Sequence, residues 1–124
     1  QAAAQAAFDA GVTQGAAHRG ALLHLLFTVR TEGLFGRYSA TQLPAYLSGL
    51  LLGAEIADAR DWAGEADTPT LVGTHELASR YARALSVLGM PATLAPEACT
   101  AEGVFALAAA GGLVPGAQPR GDLR

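Results

Sequence analysis

Apolar positions recur at helical spacing along most of this chain. Phe8 and Val12 lie one turn apart, and Leu22, Leu23, Leu25, Leu26 and Phe27 form a dense set further on. The stretch from Ala2 to about Thr28 therefore reads as helix. Gly11, Gly15 and Gly20 interrupt it, which predicts two short helices rather than one long one. Thr31 to Gly36 holds two glycines and reads as a loop.

The next pattern is stronger. Ser39 or Thr41 is placed to cap a helix with Pro44 in its first turn, where a missing N–H costs nothing. That helix runs through Leu47, Leu50, Leu51, Leu52, Ala54 and Ile56 to about Trp62. Apolar residues cover nearly its whole circumference between Leu47 and Ala57, which predicts a buried helix. Gly49, Gly53 and Ala57 repeat every four residues and form a smooth stripe on which another backbone can lie closely. Ser48 and Glu55 are the polar exceptions.

After an acidic, exposed turn from Ala63 to Pro69 the period changes. Thr70-Leu71-Val72-Gly73 is a short β-branched run, followed by a helix with Leu77, Tyr81, Leu85 and Leu88 on one face and Arg80, Arg83 and Ser86 on the other. Glu76 suits the positive N-terminal end, and Gly89 is placed to stop the helix. Pro91 to Ala95 supplies a second strand, giving a βαβ unit with a right-handed crossover expected. A last helix spans about Thr100 to Ala110, and the tail from Gly111 to Arg124, rich in Gly, Pro and Arg, is expected to fray. The fold class is thus helix-rich α/β, with residues 1–110 as one folded unit and 111–124 as a flexible tail. Two strands do not make a sheet that stands alone, so they are expected to join strands lying before Gln1. A first residue other than Met also suggests a piece of a longer protein.

Composition narrows the chemistry. The chain has 124 residues, 51% of them apolar and 15% charged, with a net charge of -3, which is enough apolar material for a core. All eight basic residues are arginine, so a Walker A loop, a protein-kinase strand lysine and a pyridoxal Schiff base are excluded within this segment. Scattered arginines on an acidic chain offer no basic stripe for nucleic acid. Cys99 is the only cysteine, so neither an internal disulfide nor a cysteine zinc cluster can form. The apolar runs fall short of the roughly 20 residues that span a bilayer, so no membrane partner is expected and the cytoplasm is the default compartment.

Val72-Gly73-Thr74 is the best candidate site. Ligands of open α/β sheets sit beyond strand carboxyl ends, where N–H groups at a helix start attract anions and a glycine permits close approach. The bland alternative is an ordinary turn and cap. Glu55 is either functional or paired with a residue such as Arg30 or Arg60. His18, His24 and His75 lack metal-ligand spacing, and only His75 lies near the candidate site. No nucleophile elbow is present, and Cys99 reads as a packed residue.

The string Leu47-Ser48-Gly49-Leu50-Leu51-Leu52-Gly53-Ala54-Glu55-Ile56 is preceded by Leu26-Phe27-Thr28-Val29-Arg30 and Pro44-Ala45-Tyr46. It is followed by Leu71-Val72-Gly73-Thr74 and Ser79-Arg80-Tyr81. Together these residues closely resemble the C-terminal portion of 2-dehydro-3-deoxygalactonokinases, over roughly Phe8 to Ala110. The resemblance implies the C-terminal lobe of an actin-like ATPase with ribonuclease H-like topology. It implies transfer of the ATP γ-phosphoryl to the C6 hydroxyl of 2-dehydro-3-deoxy-D-galactonate, with ATP and Mg2+ as cofactors.

In that family setting Gly73 and Thr74 occupy the place of the nucleotide-contacting turn, with one glycine where the superfamily signature has two. The Gly49 and Gly53 stripe would pack on the sheet near the lobe hinge. The Asp-x-Gly-x-Thr phosphate hairpin, the second phosphate hairpin and the catalytic carboxylate would lie upstream of Gln1, so the segment alone should be inactive. A missing N-terminal lobe is then the implied partner, and an exposed sheet edge and lobe-facing apolar surface favour homo-oligomers. Two other readings stand beside it: a non-catalytic α/β interaction module on a kinase-like scaffold, and a kinase for a related 2-keto-3-deoxy sugar acid.

Overall fold

The computed structural model describes residues 1–64 and 68–114. Its elements are α1 (Ala2–Ala17), a 3-10 turn (Arg19–Ala21), α2 (Leu22–Leu34), α3 (Leu43–Ala63), β1 (Thr70–Leu71), α4 (His75–Val87), β2 (Thr93–Leu94) and α5 (Cys99–Ala110). The helix-rich α/β class is as expected.

The centre of the fold is the pairing of α1 with α3. Gly11 and Gly15 face α3, and Gly49 and Gly53 face α1. A Cβ built on any of the four would overlap a carbonyl oxygen of the opposite helix: Tyr46 at Gly11, Leu50 at Gly15, Phe8 at Gly49 and Val12 at Gly53. The partners rise together along both chains, so the helices run parallel with backbone against backbone. Contact this close forfeits side-chain volume and gains dispersion along two whole ridges.

This contact explains two departures from the sequence reading. Two helices form as expected, with the break at His18–Ala21 around Gly20, but Gly11 and Gly15 do not interrupt the first of them, because burial against α3 offsets their poor helix propensity. The Gly49 and Gly53 stripe packs on α1, not on the sheet. Arg19 closes the far end of the pair: its Nη1 donates to the Ala57 carbonyl at 2.8 Å, and its other nitrogens pair with Asp58 and Asp61.

Other boundaries also shifted. α2 continues to Leu34, so only Phe35 onward is loop, with Gly36 at φ +67. Pro44 lies in the first turn of α3 as expected, but neither Ser39 nor Thr41 caps it. The preceding residue is Gln42, whose Oε1 accepts the Ser39 N–H at 2.9 Å.

Two apolar clusters flank the helix pair. One joins Phe8, Val12, Leu52 and Ile56 to Ala84 and Leu85 of α4, and the other joins Ala7, Tyr46 and Leu50 to Leu25 of α2. α3 is therefore covered on some sides and not all round: Leu51, Glu55 and Trp62 form an exposed stripe, with Trp62 91% exposed.

β1 and β2 are parallel, with Thr70 opposite Thr93 and Leu71 opposite Leu94, and α4 connects them as the expected βαβ unit. Gly89, at φ +71, ends α4, and the Met90 N–H returns to the Leu85 carbonyl at 2.9 Å. On α4 the buried residues are Ala78, Ala84 and Leu85, while Leu77, expected on the core face, is half exposed. α5 buries none of its residues. Part of the expected turn (65–67) and most of the expected tail (115–124) lie outside the described residues.

Candidate functional site

The junction from β1 into α4 is built as an open turn and a cap. Thr74 is extended (φ -63, ψ 149), and its Oγ1 accepts the Leu77 N–H at 3.4 Å. The Thr74 carbonyl takes the Ala78 N–H at 2.9 Å. Helix geometry leaves the N–H groups of the preceding first-turn residues without intrahelical acceptors. Gly73 is exposed, and a Cβ added there would meet nothing within 4 Å. The turn-and-cap geometry is thus present, with free space above the glycine for a ligand to approach. His75 opens the helix and is exposed.

Two polar links tie α4 to the glycine-packed helices. The Tyr81 hydroxyl donates to Glu55 Oε2 at 2.6 Å. Burial, then this hydrogen bond and the adjacent carboxylate charge, push the Tyr81 phenol up to about 12. The partner of Glu55 is thus Tyr81, where the sequence suggests Arg30 or Arg60; no local sequence signal points to a tyrosine 26 positions away. On the α1 side, Arg83 grips Asp9 with both Nε and Nη2, at 3.0 and 2.5 Å. The hydrogen bond from Arg83 is the main cause holding the Asp9 carboxyl below its ordinary range. Arg80 pairs along the helix with Glu76 at 2.6 Å.

Of these groups, Arg80 and Arg83 line an open cleft of about 490 Å³ between α1, α3 and α4, whose walls also include Gln5, Phe8, Ser48 and Ser79. Neither Gly73 nor Thr74 lines it. Sequence reading placed Arg80 and Arg83 opposite the apolar face of α4 and missed this cleft, because Asp9 lies 74 positions from Arg83 and no local pattern links them. Among the described residues no group of three or more His, Cys, Asp or Glu is placed to hold a metal ion. Cys99 is a free thiol at the start of α5.

A small parallel βαβ unit with an open glycine turn, set on a helical platform, defines a helix-rich α/β protein. Comparison with known proteins makes this specific. Residues 1–107 match the family model described as 2-keto-3-deoxy-galactonokinase, and the chain belongs to that family. It is 38% identical over 87 residues to the 2-dehydro-3-deoxygalactonokinase of Escherichia coli (strain K12), covering 70% of this chain and 30% of that protein. It is also 38% identical over 89 residues to a probable 2-dehydro-3-deoxygalactonokinase of Rhizobium meliloti (strain 1021), covering 72% of this chain and 29% of that one. The chain thus spans less than a third of the length of these relatives.

Proposed function

We propose that this chain is the C-terminal lobe of an ATP-dependent 2-dehydro-3-deoxygalactonokinase of actin-like ATPase architecture. The full enzyme phosphorylates the C6 hydroxyl of 2-dehydro-3-deoxy-D-galactonate. The observation that carries the reading is the open space over Gly73 at the start of a capped helix, in a chain of this kinase family.

In this reading Gly73 admits the nucleotide and Thr74 holds the turn that presents the first N–H groups of α4 to it. The residues fit such a ligand: the glycine has no neighbour to displace, and the helix start favours negative charge. Bound ATP would supply the phosphoryl group, and Mg2+ would neutralise charge on it. Phosphoryl transfer of this kind depends on positioning and charge neutralisation. Within this lobe that means orienting the nucleotide, and the catalytic carboxylate and phosphate hairpins come from the N-terminal lobe. The 124 residues alone are then inactive, and the sugar acid meets ATP only when both lobes are joined.

The test is an assay of the full-length protein with ATP, Mg2+ and 2-dehydro-3-deoxy-D-galactonate, the product position being read by phosphorus NMR. Phosphate on C6 upholds the reading. Phosphate appearing only on a related 2-keto-3-deoxy acid corrects the substrate, and no turnover with any of them moves the interaction-module reading forward.

A further inference from the structure

The two halves of α4 are held in different ways. Its C-terminal half is seated by apolar packing, with Ala84 and Leu85 buried and Leu88 and Met90 against the same cluster. In the half that opens at Thr74, Ala78 is the one residue buried, and Leu77, which would otherwise anchor it, is half exposed. Between the two halves stands Tyr81, whose ring packs against that same cluster and whose hydroxyl adds a polar tie. Tyr81 lies seven residues beyond Thr74, two turns down the helix, and its hydroxyl reaches Glu55 on α3 at 2.6 Å. α3 is in turn locked to α1 by backbone contact at four glycines. The hydrogen bond therefore joins the candidate nucleotide helix to the part of the fold with the least room to move. The second link, Arg83 to Asp9, runs through a long, half-exposed side chain and sets distance less strictly than a phenol ring with two torsions.

We infer that Tyr81 and Glu55 are a positioning pair for the nucleotide: their hydrogen bond sets the height and rotation of the α4 opening, and so the geometry that Gly73 and Thr74 present. The inference rests on the nucleotide reading proposed above. Neither residue touches ATP. Their loss costs nucleotide affinity and leaves the sugar acid untouched.

The experiment is steady-state kinetics of the full-length kinase carrying Tyr81→Phe, Glu55→Ala, Glu55→Gln, the double variant Tyr81→Phe with Glu55→Ala, and Gly73→Val. Tyr81→Phe keeps the ring and its packing, so the fold is preserved. Tyr81→Phe and Glu55→Ala are each expected to raise the ATP KM about three- to tenfold, as the loss of one hydrogen bond to a charged group would. The sugar-acid KM and kcat should stay within about twofold of the wild type. Glu55→Gln, whose amide oxygen still accepts from the phenol, should restore most of the ATP KM, and the double variant should be no worse than either single one.

Gly73→Val separates the two ideas, because its side chain enters open space and disturbs nothing in the lobe itself. If Gly73→Val raises the ATP KM and Tyr81→Phe does not, the positioning inference is wrong and the nucleotide reading stands. If neither variant moves the ATP KM, the nucleotide reading fails and takes the inference with it. A Tyr81→Phe enzyme in which both KM values and kcat worsen together with the melting temperature would reduce the pair to a structural contact and overturn the inference.

Discussion

The glycine-packed helices and the βαβ unit are opposite solutions to holding an element in place. Where α1 meets α3, four glycines bring backbone onto backbone and leave Leu50 and Val12 with no exposed surface. Where α4 and α5 continue the chain, the strands are two residues long, Gly73 faces open space and α5 buries nothing. The first region has no tolerance for added volume. The second keeps its surfaces available, with Phe105 58% and Leu107 75% exposed. Stability belongs to the helix pair, and the proposed chemistry belongs to the open junction.

The sharpest way to break that contrast is volume at the glycine contact. Gly49→Val should destabilise by about 3 kcal/mol or more, because the Phe8 carbonyl of α1 has nowhere to go, and urea unfolding would show it. Gly73→Val in the other region should leave the unfolding midpoint unchanged. A result in which both glycines respond alike would dissolve the comparison.

A second test is alkaline. The folded Tyr81 phenol is pushed up to about 12 from an ordinary 10.0, so between those values the native state holds a proton that the unfolded chain releases. Stability from this group is complete below pH 10 and declines as pH rises toward 12, by about 1 kcal/mol once partial solvent screening is allowed for. Tyr81→Phe should flatten that alkaline limb and remove the latest step from the tyrosine absorbance titration.

Removing the cap is a slightly smaller change. Thr74→Ala should cost about 0.5–1 kcal/mol and Thr74→Ser almost nothing, since the serine hydroxyl can still accept from the Leu77 N–H; thermal unfolding distinguishes them.

The Asp9–Arg83 link predicts a weaker dependence at the acid end. The Asp9 carboxyl is held below its ordinary 3.8, so its contribution is present above that value and lost as pH falls below it. Asp9→Asn should make the acid limb of the stability curve shallower. Smallest of all, Phe105→Ser on the exposed face of α5 should change stability by no more than about 0.5 kcal/mol, read from the same urea curves.

Much of the architecture was legible in the linear pattern. Pro44, the Leu47 to Ile56 run and Gly89 mark the start, body and stop of two helices, and the β-branched run before Gly73 marks the strand that makes the unit βαβ. The turn and cap at Gly73 and Thr74 were legible too, since Gly-Thr before a helical pattern carries a local rule. What was not legible is everything that depends on which helix lies against which. Gly11 and Gly15 read as breaks because intrinsic propensity disfavours glycine in a helix, and only burial against α3 reverses that. Leu77 read as core because periodicity counts apolar residues without knowing that close packing gives the inner face to Ala78 and Ala84.

The amino-acid sequence by itself determined the elements, their order, the family and the glycine that opens the βα turn, because these follow from short-range sterics, periodicity and a specific string. The tertiary structure alone decided that the glycine stripe meets α1, that Glu55 is bound by Tyr81 and that Asp9 is gripped by Arg83. Those contacts join residues 26 to 74 positions apart, and their partners are set by how the helices pack and not by anything local to either residue.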